Sequence, residues 1–206
     1  IIAGFGRFGQ IVARVLRAKG IAFTALDINA EQVELVKGFG AKAFYGDASR
    51  PEILAAAQAE KARALVLAID DVEAAMRTAA FVKSAYPELP IYARARNRNH
   101  ALRLLDLGIT SFERETFLSA LEITRQVLVG LGTPNKEAER LLAMFKSHDE
   151  RRLKSDYKFY SDVEKLQAKA RTDTETLAQL FAEDAAERAA ADKAGGEPAK
   201  RKESAA

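Results

Sequence analysis

The chain has no cysteine and no tryptophan, and only two histidines and five prolines among its 206 residues. Without cysteine there is no disulfide, no thiolate metal site and no cysteine nucleophile, a composition at home in a reducing compartment. His100 and His148 stand far apart in the sequence and are expected to be surface or capping residues rather than metal ligands. No apolar run approaches the roughly 18–20 residues that cross a bilayer. An excess of one charge is also missing: 32 basic residues face 29 acidic ones, for a net charge of +3. The two signs are interleaved, so no polycationic face announces nucleic acid as a partner.

What is present is a chain 48% hydrophobic and 30% charged, able to bury a core and stay dispersed. Its organising stretch comes at once. Ile1-Ile2-Ala3 runs into Gly4-Phe5-Gly6-Arg7-Phe8-Gly9, and an amphipathic helical pattern follows. Strand, glycine turn and helix in that order are the setting of a dinucleotide-binding loop. Gly4 permits the turn, Gly6 lets backbone amides approach a phosphate, and Gly9 lets the helix lie close to the strand. The phosphate then meets the positive end of a helix. Only three residues precede the loop, fewer than an average strand of about five or six, so more of the first strand is expected upstream.

The first helix is expected over Arg7–Lys19, burying Ile11, Val12, Val15 and Leu16, with Arg7, Gln10, Arg14 and Arg17 on its solvated face. A second strand, Ala22–Leu26, ends at Asp27, about 20 residues past the loop, where this fold sets a carboxylate on ribose hydroxyls. An acid there, with no arginine beside it, argues against a 2′-phosphate. Asn29 with Gln32 reads as a helix cap. The third strand, Lys42–Tyr45, leads to Asp47, placed to accept from an adenine amino group or to shape the loop before a cap at Ser49. A fourth strand, Ala64–Ala68, reaches Asp70-Asp71. Asp70 with Glu73 three residues on reads as a helix start rather than a metal or acid/base pair. Strands five (Pro90–Ala93) and six (Ile109–Phe112) complete an α/β, Rossmann-like, doubly wound sheet of six parallel strands.

The candidate nucleotide-binding set is Gly4, Phe5, Gly6, Arg7, Phe8, Gly9, Asp27, Ile28, Asp47 and Ala48; no catalytic or metal site is expected. After the sheet a helix over Arg114–Leu131 carries two apolar stripes, one of which includes Ile123 and Val127. That is more than one sheet face covers, so a homodimer is expected through residues 114–131. The domain closes near 132. Thr133 and Pro134 open a helical C-terminal extension over 133–192, and 193–206 reads as a disordered tail.

The blocks Gly4–Ile11, Phe44–Ala48, Ala68–Asp71, Ala93–Arg96 and Glu113–Phe117, in that order, resemble the cytoplasmic regulatory domain of the glutathione-gated potassium efflux (Kef) systems, within the KTN/RCK family. The resemblance covers about residues 1–150. It implies a ligand-sensing domain at the cytoplasmic face of the bacterial inner membrane, hung from a potassium/proton antiporter domain upstream in the same chain. It implies AMP or NAD(H) in the glycine-rich cleft and glutathione as regulatory ligand at the dimer interface, with an ancillary oxidoreductase subunit as a further partner. Two arginines and an asparagine that contact glutathione in that family fall on Arg14, Arg114 and Asp149. An ionised aspartate only accepts hydrogen bonds, so Asp149 suits the peptide's ammonium and not its carboxylates. The alternative, an NAD-dependent oxidoreductase, needs a substrate domain and a proton donor, and residues 114–206 show neither. A transcriptional regulator on the same fold would need a helix-turn-helix module, and none is visible.

Overall fold

Short apolar runs alternate with amphipathic ones along the first 114 residues, and each pair folds as a strand followed by a helix. The computed structural model describes residues 1–38, 42–157 and 176–186. The order is β1 (Ile2–Ala3), α1 (Arg7–Ala18), β2 (Thr24–Asp27), α2 (Ala30–Gly38), β3 (Lys42–Tyr45), α3 (Pro51–Ala56), β4 (Leu65–Leu67), α4 (Val72–Ala85), β5 (Ile91–Ala95), α5 (Arg98–Asp106) and β6 (Phe112–Arg114). Two longer helices follow, α6 (Phe117–Gly130) and α7 (Asn135–Asp156).

All six strands pair in parallel, in the spatial order β3-β2-β1-β4-β5-β6. This is the expected doubly wound sheet. β1 is central, with Ile2 opposite Ala25 on one side and Val66 on the other. The strand order therefore reverses across the β1–β4 pair, and a crevice forms there outside the carboxyl ends of the strands.

Burial explains why the chain closes this way. Ile2, Phe5, Ala13, Ala25 and Val36 form a buried cluster, with Val12, Leu16, Phe23 and Val66 packed on it. Leu54, Leu65 and Leu104 are completely covered, each contributing about 1.5–3 kcal/mol over exposure. Helix α4 buries Ala75, Thr78, Ala79 and Val82, a small-residue face that permits close packing.

Several expectations shift. In α1 only Gly9 and Ala13 are buried outright, while Ile11 (56% exposed) and Val15 (65%) face outward; the apolar stripe is wider than its neighbours cover. Gln10, expected on the solvated face, is half-buried, and its amide donates to Phe5 O (3.3 Å) and Gln32 Oε1 (2.8 Å). β5 runs two residues further than expected and takes Arg94 into the sheet. β6 lies at Phe112–Arg114, so Arg114 ends a strand instead of opening a helix. Asp71, not Asp70, caps α4 by accepting from Ala74 N–H at 2.7 Å. Arg50, without a side-chain capping bond, holds the cap position of α3 in place of Ser49. Pro134 stands where Thr133 was expected to cap α7. His100 is buried rather than on the surface: Asn97 caps α5 by accepting from its N–H (2.9 Å), and its Nδ1 accepts from Arg96 N–H (3.2 Å). Burial holds the imidazole below its ordinary pKa.

The chain divides into two units, Ile1–Val127 and Leu128–Ala206. In the second, α7 buries Ala138, Leu153 and Asp156, and Arg140 pairs with Asp184. The sequence expectations for the extension at 158–175 and 187–192 and for the tail at 193–206 lie outside the described residues.

Candidate functional site

The glycine loop sits at the carboxyl end of β1, at the point of strand-order reversal. Gly4 has φ +91°, and a Cβ on it would lie 2.6 Å from the carbonyl carbon and oxygen of Ala68 at the end of β4. A Cβ on Gly9 would overlap the carbonyl oxygen of Gly4. These two glycines thus close the turn against the sheet and the helix against the turn. Gly6 differs, because a Cβ there would meet nothing within 4 Å among the described residues. It is the cap residue of α1, without a side-chain cap or an acid in the first turn. The first intrahelical bond is Gln10 N–H to Gly6 O at 3.0 Å, so the amides of Arg7, Phe8 and Gly9 stand ahead of it. A helix start with open amides and no acidic side chain suits an anion. These residues fit a nucleotide phosphate.

Asp27 ends β2 beside the loop. Its Oδ2 accepts from Phe5 N–H (2.5 Å), its Oδ1 from Asn29 N–H (2.7 Å), and its backbone carbonyl from Gly46 N–H (2.9 Å). A carboxylate offers about four acceptor positions, so each oxygen keeps one for a ribose hydroxyl. The Asn29 side chain caps α2 as expected, accepting from Glu31 N–H at 2.9 Å. Asp47 follows β3; the backbone N–H of Ser49 donates to its Oδ1 (2.8 Å) and holds the carboxyl below the usual range. Ile28 is exposed and Ala48 buried. The Phe5 ring points into the core, stacked 6.4 Å from Phe23, so only its backbone faces the loop. Arg7 is exposed and Phe8 half-buried on the first turn of α1.

A charge network beside the loop escaped the sequence reading. Arg94 is 4% exposed, and its Nη2 meets Asp70 Oδ1 at 2.5 Å and Glu115 Oε2 at 2.8 Å. Its Nη1 donates to Ala68 O at 3.3 Å, the carbonyl that packs on Gly4. Arg7 lies 3.5 Å from Glu115 Oε1, and Arg96 donates to Asp70 O at 3.1 Å. The hydrogen bond from Arg94, ahead of any other influence, pulls the Asp70 pKa below the ordinary carboxylate value. The block Ala93–Arg96 was visible in the sequence, but its acidic partners lie in the loops that follow β4 and β6.

Two of the glutathione candidates, Arg14 and Arg114, lie in the first unit. Arg14 is exposed on α1, and the Arg114 guanidinium lies 3.8 Å above the Phe117 ring centre. Asp149 belongs to the second unit, half-buried on α7. Among the described residues, no group of three or more His, Asp or Glu is arranged to hold a metal ion, and no helix is long and apolar enough to cross a membrane.

A parallel sheet with a phosphate-ready loop at its switch point and an acid at the next strand end defines a nucleotide-binding Rossmann domain. Residues 1–114 match the TrkA-N domain family, and the chain belongs to it. Residues 119–197 match the potassium efflux system KefB C-terminal domain. The chain is 39% identical over 184 residues to the glutathione-regulated potassium-efflux system protein KefC of Salmonella paratyphi B, and equally to that of Salmonella newport. Those matches cover 89% of this chain and 30% of each relative. Among solved structures, the Kef CTD of Shewanella denitrificans in its AMP-bound form is 42% identical, with a TM-score of 0.71, covering 77% of this chain and 96% of that one. The TrkA-N domain of the inner membrane protein ybaL from Escherichia coli is 25% identical, with a TM-score of 0.55, covering 63% and 93%. This chain is a Kef regulatory KTN/RCK domain.

Proposed function

We propose that the domain binds an adenine nucleotide, AMP or NAD(H), at the glycine loop and acts as a non-catalytic sensor gating a membrane potassium/proton efflux transporter. The observation that carries this reading is the open, uncapped start of α1 beside the Asp27 carboxylate at the switch point of the sheet. AMP is bound by the 42%-identical Shewanella domain, which supports the same ligand here. The phosphate meets the amides of Gly6 to Gly9, the ribose meets Asp27, and Asp47 stands by the adenine edge, with Ile28 and Ala48 flanking it. The curated relatives are longer than this chain, which supports a transporter domain in the full-length protein at whose cytoplasmic face the sensor works.

Glutathione is the second ligand in this reading, supported by the naming of the KefC relatives. Arg14 and Arg114 supply the guanidinium forks that its two carboxylates require. Asp149, an acceptor only, suits the peptide's ammonium by charge. The site lies at the interface of a homodimer formed through α6, and gating follows from different affinities of the two arrangements for glutathione and its adducts.

Any ligand that prefers the native state raises its stability. AMP, NAD and NADH are therefore each added in thermal denaturation of the 206-residue chain, with Gly6→Val as control. The expected result is a rise in Tm that Gly6→Val abolishes, because its side chain fills the phosphate's approach. No rise with any of the three would refute nucleotide binding, and turnover of NADH with a substrate would refute the non-catalytic reading.

A further inference from the structure

The charge network beside the glycine loop has one end that can move and one that cannot. Arg94 is buried, held between Asp70, Glu115 and the Ala68 carbonyl. Arg7 is the opposite: its side chain is 89% exposed, and its ion pair with Glu115 spans 3.5 Å. Arg7 is also the first residue of α1, adjoining the open amides of the loop. Glu115 in turn lies in the short link between β6 and α6. A negative group arriving at the start of α1 therefore competes with Glu115 for a mobile guanidinium, while Arg94 keeps the Glu115 carboxylate in place.

We propose that Glu115 is a positioning residue for the nucleotide phosphate: it holds Arg7 in a loose ion pair that the phosphate displaces, so that phosphate binding is coupled to the link entering α6. This rests on the nucleotide reading above and names the side chains that read the phosphate's charge. Energetics decide which member moves. An exposed pair such as Arg7–Glu115 is weak, whereas extracting the buried Arg94 would strand a charge. Glu115 thus sets a small, phosphate-specific penalty on binding, and removing its charge while keeping its shape should lift that penalty.

The test measures AMP and adenosine affinity by calorimetry for the 206-residue chain, Glu115→Gln, Arg7→Ala and the double variant. Glutamine still accepts from Arg94, so Glu115→Gln keeps the buried contact. The expected result is AMP binding about two- to fivefold tighter in Glu115→Gln, the range of an exposed ion pair, with adenosine unchanged and no gain from Glu115→Gln once Arg7 is alanine. Arg7→Ala, at an exposed position that leaves the core intact, should weaken AMP and spare adenosine. A Glu115→Gln effect of equal size on both ligands, no gain for AMP, or a gain that persists without Arg7 would overturn the proposal. If the unmodified chain binds AMP and the cycle shows no coupling, only this inference fails; if it binds no nucleotide, the nucleotide reading fails and takes this one with it.

Discussion

Replacing Arg94 by methionine tests the charge network at its centre. The substitution keeps much of the stem's length and removes the charge together with the contacts to Ala68 O, Asp70 and Glu115. The two carboxylates suffer unequally. Asp70 is 73% exposed and simply returns to water, a loss of at most about 1 kcal/mol. Glu115 is only 22% exposed, and losing a charged hydrogen bond there costs about 1.5–3 kcal/mol. Against this, the buried Arg94 Nε has no hydrogen-bond partner among the described residues, and methionine removes that cost. The net expectation is a loss of about 1–3 kcal/mol, read in calorimetry as a fall in Tm of about 2–12 °C for a chain this size. A pH series adds a second constraint. Asp70 has a folded pKa below its unfolded one, so its contribution is complete above the unfolded pKa of about 4 and is lost as pH falls through the folded value. The gap between unmodified chain and variant should be full at neutral pH and narrow below about pH 4. An unchanged Tm, or a gap indifferent to acid, would refute this account of Arg94.

Asp71→Ala should destabilise by about 1 kcal/mol, the usual cost of losing a cap, measured by urea unfolding with Asp70→Ala as the comparison that leaves the cap intact. Glu122 is pulled down to a pKa of about 2, first by its hydrogen bond from Arg125 and then by Gln126; carbon-detected NMR titration should show it rising toward the ordinary value in Arg125→Ala. On the dimer reading, light scattering should report twice the chain mass, and Ile123→Asp with Val127→Asp should shift it to the monomer by burying unpaired charge.

The parts of this fold written in local order were open to sequence reading. The glycine loop, the strand ending at Asp27 and the alternation of strands with helices are each encoded within a few neighbouring residues. Arg94 was not legible in that way. Strand five was read as ending at Ala93 because an arginine looks like a loop residue, and the acids that neutralise it sit 24 residues before it and beyond the next strand. His100 misled for a related reason, since its covering comes from tertiary packing. Helix α1 shows the converse: periodicity put Ile11 and Val15 on the apolar stripe, but a stripe does not reveal how much of it a neighbour covers. At Asp70-Asp71 the pattern found the helix start and missed the cap by one residue, because the first carboxylate was drawn to a distant cation.

Asp27 has an evolutionary consequence. A residue that chooses among ligands is ordinarily free to drift when the ligand changes. Here the same carboxylate fastens the glycine loop through Phe5 and the entry to α2 through Asn29, while its backbone fastens the end of β3 through Gly46. A lineage exchanging it for a small or basic residue, the usual route to 2′-phosphorylated ligands, would loosen two loops before gaining any new preference. Even asparagine keeps only one of the two acceptor oxygens and turns its NH2 toward the other backbone donor. On the nucleotide reading, ligand preference at Asp27 is therefore tied to the scaffold, whereas a change at Ile28 or Asp47 would disturb fewer of these contacts.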